Sequence, residues 1–209
     1  MDKFQKEIMV IEKRLLFNND YFQGFVGASH ADFEARVHAN FKFMKRGIAE
    51  TDPNHKQPCA YSIIVNPTSK QVFTYLRASR DKDYTEKRLQ GKWSIGLGGH
   101  IEKLDLADDK PIHTSMLREL SEEVHIGGSI QPRVLGYIND DRDDVGRVHF
   151  GVVYLIETDA TDVRPNGSEI ADGCFRTIDQ LKQLASAEDA DVEEWSKLLV
   201  EHLENYFKN

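Results

Sequence analysis

The sequence predicts an α/β fold with a mixed β-sheet between helices. Three observations lead there. Short β-branched and aromatic runs, bounded by Gly, Pro, Asn and Asp, recur along the chain. Apolar residues at helical spacing recur between them, behind Ser, Thr or Asp residues suited to capping. The two patterns alternate irregularly, as a mixed sheet covered by helices requires. At 209 residues and 40% hydrophobic, the chain can bury one core of generous size.

Glu7-Ile8-Met9-Val10-Ile11-Glu12 is an apolar run between charges and predicts a strand. Phe17-Asn18-Asn19-Asp20 marks a turn. Tyr21, Phe22 and Phe25 then cluster with Gly24 and Gly27; aromatics so placed pack on a core more often than they wall a ligand site. Ser29 caps a helix expected to run to about Arg46, with Phe33, Val37, Phe41 and Met44 as its buried stripe. Ile48 to Pro58 is polar, holds two prolines and predicts a loop. Cys59 to Val65 and Gln71 to Leu76 predict strands joined through Asn66-Pro67-Thr68-Ser69-Lys70.

Ala78 to Arg88 is a charged loop whose ordinary reading is solvated surface; phosphate binding by Arg80, Lys87 or Arg88 is the lesser one. Lys92 to Leu97 predicts a strand leading into Gly98-Gly99. Gly96-x-Gly98-Gly99 is no dinucleotide fingerprint, since the third glycine and the strand–turn–helix spacing are missing. Pro111 opens a helix with Ile112, Ser115 or Met116, Leu120 and Val124 facing inward. Arg133 to Ile138 and Val148 to Ile156 are further strands. The acidic connection from Asn139 to Arg147 lacks the bidentate Glu and the helical context of a calcium loop. His149, within a strand, is expected as a core histidine rather than a ligand. A polar connection from Asp159 to Asp172 precedes a last strand, Gly173 to Arg176. Thr177 caps a helix to Leu184, and Asp191-x-x-Glu194 reads as a capping box before an amphipathic helix bearing Trp195, Leu198, Leu199, Leu203 and Phe207.

A net charge of -8 excludes general DNA or RNA binding through a basic footprint. A free nucleotide or diphosphate ester remains open to it through a metal bridge, because the ion inverts the local sign. Cys59 and Cys174 make neither a disulfide framework nor a zinc spacing, which suits a reducing cytoplasm. The stretch Met1 to Glu7 has no apolar core of signal-peptide length and no apolar run anywhere reaches membrane-spanning length, so a cytoplasmic protein with no membrane partner is expected.

The chemistry concentrates in Gly98-Gly99-His100-Ile101-Glu102 and Arg118-Glu119-Leu120-Ser121-Glu122-Glu123. On a helix, Glu119, Glu122 and Glu123 project from one face. Like charges so close repel unless a cation sits among them, and hard divalent ions suit carboxylates. Arg118 cannot lose its proton, and its planar fork can clamp a loop carboxylate; Glu102 is the nearest by sequence. Taken alone, a Glu-rich segment is usually a solvated helix face. The glycine loop upstream and the adjacent Arg weight the reading towards a metal site.

This stretch resembles the signature box of the Nudix hydrolases: Gly, five residues, Glu, seven residues, then Arg-Glu-apolar-x-Glu-Glu-x-Gly-apolar. Gly99, Glu102, Arg118, Glu119, Leu120, Glu122, Glu123 and Ile126 carry the resemblance. Asp105 stands where the pattern has its first Glu, and five extra residues lie between it and Arg118. His125 stands at the later Gly, with Gly127-Gly128 expected to supply the helix exit.

The resemblance implies the family's α/β/α sandwich from about Pro58 onward, in a single domain spanning 1–209. Residues 1–57 are then an extension laid on the same sheet. It implies Mg²⁺ or Mn²⁺ at Glu119, Glu122, Glu123 and the Gly98 carbonyl. Glu119 or Glu169 would accept a proton, with Asp172 second to Glu169, and Arg118 would orient the glutamates with Glu102 behind it. The activity implied is hydrolysis of a nucleoside diphosphate linked to another group X. The alternatives are a non-catalytic nucleotide-metabolite sensor and an isoprenoid-diphosphate isomerase, which would need a suitably placed Cys. A homodimer is left open.

Overall fold

The computed structural model describes residues 2–78, 90–166, 169–187 and 189–208. In chain order these form β1 (Glu7–Glu12), α1 (Lys13–Phe17), β2 (Gly24–Gly27), α2 (Phe33–Asn40), β3 (Lys42–Lys45) and α3 (Arg46–Ala49). Then come β4 (His55–Asn66), β5 (Gln71–Arg77), β6 (Trp93–Ser94), β7 (Gly96–Leu97), a 3-10 turn (Lys103–Ala107) and α4 (Pro111–Glu123). The rest are β8 (Val124–Ile126), β9 (Ile130–Asn139), β10 (His149–Thr158), β11 (Val163–Pro165), β12 (Ile170–Thr177), α5 (Ile178–Ser186) and α6 (Glu194–Lys208). The class is α/β, a sheet accompanied by helices. Two compact units share the chain: Met1–Tyr61, Gly98–Arg118 and Val134–Tyr154 in one, Ser62–Leu97, Glu119–Arg133 and Leu155–Asn209 in the other. No described helix is long and apolar enough to cross a membrane.

In the first unit the strands run β4-β10-β9-β2. β1 pairs antiparallel with β3 and, through Ile11↔Lys56 and Glu12↔His55, with β4. Residues before Pro58 therefore carry sheet strands. Ile8, Met9, Val10 and Ile11 are fully buried, as a strand covered on both faces demands. Phe22 lies in the aromatic core with Phe33, Tyr137 and Phe150; Phe33 meets the Tyr137 ring edge-on at 4.9 Å. Tyr21 instead faces solvent and donates to Asp141.

The helix expected from Ser29 to Arg46 is shorter. Asp32 caps it, accepting from the Ala35 N–H, and it ends at Asn40. Phe43 and Met44 pair with Met9 and Ile8 in β3–β1. Long-range ladder bonds override a helical spacing that Phe41 and Met44 also satisfied. The loop expected through Pro58 is likewise corrected: β4 begins at His55, and all twelve of its residues are buried. Lys56 achieves this by donating from Nζ to Asp141 Oδ1 and the Gly146 carbonyl, both at 2.6 Å. The acidic connection thus wraps a buried ammonium. Burial pushes the Lys56 pKa down to about 8, with Asp141 opposing the shift.

In the second unit β12, β5 and the end of β4 are neighbours. β5 also pairs with β6, and β4 with β7 through Ser62↔Leu97 and Ile63↔Gly96. The hairpin and the last strand run where the sequence predicts them, and Thr177 caps α5. Two details differ. The polar connection before β12 contains β11, paired with β8. Asp191 is no helix cap: the Glu193 carbonyl accepts the first bond of α6, from the Lys197 N–H, while Asp191 pairs with Lys92. Arg80, Lys87 and Arg88 lie outside the described residues.

Candidate active site

β7 delivers the chain into Gly98, which needs to be glycine. Its φ is +154°, and an added Cβ would sit 1.8 Å from the Ala60 carbonyl oxygen. The approach is held by buried hydroxyls. Tyr75 donates to the Gly96 carbonyl at 2.6 Å and Ser94 at 3.2 Å. Ser94 also meets Glu193, which forms an ion pair with Arg77 at 3.7 Å. Burial raises the Tyr75 pKa well above the phenolic range; Arg77 opposes, and Glu123 and Glu193 add to the rise. Tyr75 therefore stays a neutral donor.

Arg118 closes on Asp105, not on Glu102. Its Nε donates to Oδ1 at 2.9 Å and its Nη2 to Oδ2 at 3.0 Å, a bidentate pair on a carboxylate with no exposed surface. The same nitrogen reaches the His100 carbonyl at 3.2 Å, and Asp105 Oδ2 accepts the Glu102 backbone N–H at 2.8 Å. Glu102 itself pairs with Lys6 at 2.9 Å. The role expected of Glu102 thus falls to Asp105, because the 3-10 turn aims Asp105 inward while Leu104 and Leu106 face solvent. That turn absorbs the start of the inserted loop without displacing the clamp.

Glu119, Glu122 and Glu123 lie on the last turn of α4, within an arc of about 100° at the helix's angular step. Ile112, Ser115, Met116 and Leu120 are buried on the inward face, as expected. Glu122 is exposed; Glu119 and Glu123 are half-buried. The helix exit is corrected. Glycines do not make it: the chain passes straight into β8 at Val124. Asn166 satisfies two of the loose carbonyls, donating from its backbone to Glu123 O at 2.8 Å and from Nδ2 to Ser121 O at 3.0 Å.

Three carboxylates on one arc form a hard, anionic donor set that fits Mg²⁺ or Mn²⁺. The Gly98 cradle, which any side chain would fill, leaves backbone there for a close approach. Glu169 is exposed just before β12, its carbonyl accepting the Ala78 N–H at 2.8 Å, and Asp172 is exposed within β12. The structure therefore joins Arg118 to the Asp105 turn and holds the three glutamates on one arc. Sequence reasoning overlooked Asp105 as the clamp partner although it stands at the pattern's Glu; Asn166 gave no signal, being one polar residue in a polar connection.

The chain matches the NUDIX domain over residues 56–197. It is 31% identical to protein YmaB of Bacillus subtilis (strain 168), over 98% of this chain and 100% of that protein. The crystal structure of Tm1382, a candidate Nudix hydrolase, superposes with a TM-score of 0.77 at 24% identity, covering 96% of this chain and 100% of that one. The NUDIX domain of Shewanella oneidensis NrtR complexed with ADP ribose gives 0.53 at 15% identity, covering 72% and 88%.

Proposed function

Because the chain belongs to the Nudix family it is a Nudix-type pyrophosphohydrolase, and we propose that it cleaves a diphosphate linkage in a nucleoside diphosphate joined to another group X. The observation that carries this reading is the last turn of α4, where Glu119, Glu122 and Glu123 share one arc beside an Arg118 locked onto buried Asp105. Those three glutamates and the Gly98 carbonyl would hold the ion. Bound Mg²⁺ or Mn²⁺ would neutralise the diphosphate and make an attacking water more acidic.

The chain's own groups supply the rest. Glu119, or Glu169 from the turn before β12, accepts the water's proton as oxygen approaches phosphorus in line with the leaving group. Arg118 touches no substrate in this scheme. It is a positioning residue, and its bidentate hold on Asp105 fixes the helix turn that carries the acids. Tyr75 and Ser94 hold the Gly96 carbonyl, and so the lead into Gly98. The intact acids support an enzyme over a sensor. Cys59 is buried with its thiol on the Phe150 carbonyl, which disfavours the isomerase reading.

ADP ribose, the compound in the Shewanella oneidensis structure, is a nucleoside diphosphate linked to a second group and heads the panel to try. The test incubates the protein with nucleoside-diphosphate compounds and Mg²⁺ or Mn²⁺ and separates phosphate-containing products. Two phosphorylated fragments from at least one compound are expected, with ¹⁸O from labelled water in one of them. Binding without turnover across the panel would favour the sensor instead.

A further inference from the structure

We propose that Glu50, His100 and His149 form a second cation site, which takes one transition-metal ion of the Zn²⁺ class. Its nitrogen-rich chemistry differs from the carboxylates of α4, and it does not depend on the hydrolase reading. The ligand atoms of the three residues lie within 4.8 Å of one another. They come from separate elements of the first unit: Glu50 follows α3, His100 bridges to Cys59 of β4, and His149 opens β10.

Three features shape these side chains as ligands. His149 Nδ1 stands 2.7 Å from the Val145 carbonyl, which can only accept, so that nitrogen carries the proton and Nε2 keeps its lone pair. An outward hydrogen bond of this kind commonly fixes a ligating histidine. The two Nε2 atoms are 3.1 Å apart. Around zinc at its usual nitrogen distances, that separation subtends about 100°, close to a tetrahedral edge. Glu50 is held by Arg46 Nε at 3.1 Å, and both side chains are nearly buried.

A neighbouring amide oxygen extends the donor set. Gln57 is fully buried with Oε1 2.8 Å from His100 Nε2, and its Nε2 has no hydrogen-bond partner among the described residues. The amide oxygen is thus held against the cluster, where it can act as a neutral donor. An ion there would take Gln57 Oε1 as a fourth donor, completing an N₂O₂ set. No net proton is lost if the His100 proton moves to Nδ1.

The test is equilibrium dialysis of the metal-stripped full chain against micromolar Zn²⁺ in millimolar Mg²⁺, which suits carboxylates and leaves imidazole free. The expected result is one Zn²⁺ retained per chain, still retained by the Glu122→Gln/Glu123→Gln double variant. His149→Gln and, separately, Glu50→Gln should weaken retention at least about tenfold. Co²⁺ in the wild-type protein should give the intense visible bands of a four-coordinate, nitrogen-ligated ion, a readout that needs no variant to fold. No Zn²⁺ retained, retention unchanged in His149→Gln, or only the pale spectrum of six-coordinate Co²⁺ would overturn the proposal.

Discussion

Asp105 has no exposed surface, and both its oxygens are engaged by one guanidinium. Neutralising it takes away the charge that both ends of the Arg118 fork meet. Asp105→Asn should cost about 3 kcal/mol in urea unfolding, the range for breaking a buried pair from one side. The matching Glu102→Gln change, on a carboxylate that meets the flexible Lys6, should cost under about 1 kcal/mol. Lys56 allows a test by pH. Its folded pKa of about 8 lies below the free value of 10.5, so between those limits the unfolded chain holds the proton that the folded chain has lost. Stability therefore rises with pH across that window, by up to about 3 kcal/mol, as the desolvated charge is relieved. Unfolding of the wild type should show this rise relative to Lys56→Met between pH 8 and pH 10; parallel profiles would mean the ammonium is solvated. The residues legible in the sequence were those whose type and spacing are specific, Arg118 and the three glutamates. Gln57, Glu50 and Asn166 were not, because a lone polar residue acquires meaning only from what the fold brings beside it.

At the scale of elements, the glycine lead-in is the least tolerant point. Gly98→Ala would drive a methyl group into the Ala60 carbonyl at 1.8 Å, with φ at +154°. The neighbour is backbone and cannot rotate away, so a loss of more than about 4 kcal/mol is expected in thermal or urea unfolding. A Gly98→Ala protein as stable as the parent would show that the lead-in has another course. The strands that bury alternating or continuous apolar runs were readable, β1, β5 and β10 among them. The misread elements share a cause: their local signals pointed one way and a partner strand pulled the other. β3 has helical spacing but is paired by β1, and the start of β4 has loop composition but is buried by Asp141 and Gly146. The exit of α4 departs from its sequence signal for the opposite reason, since Asn166 and β8 close it and Gly127-Gly128 do not.

For the whole molecule, residues that precede the NUDIX match contribute paired strands. β1 lies on β4 and β2 on β9, and Ile8 to Ile11 are buried throughout. A segment so short is expected to need other strands to bury its surface, and the sequence carries no signal for which strands those are. The net charge of -8 bears on the proposed substrate at this scale. With that balance, the proposed binding of a small diphosphate calls for a divalent ion that reverses the local sign. The central claim, that the glutamates on the last turn of α4 grip that ion, is tested most directly by steady-state hydrolysis against Mg²⁺ concentration, comparing the parent with Glu123→Gln. The account predicts Mg²⁺-dependent turnover in the parent and a fall in kcat/KM of at least about a hundredfold in the variant, with its unfolding curve unchanged. Equal turnover by the two proteins at every Mg²⁺ concentration would contradict it.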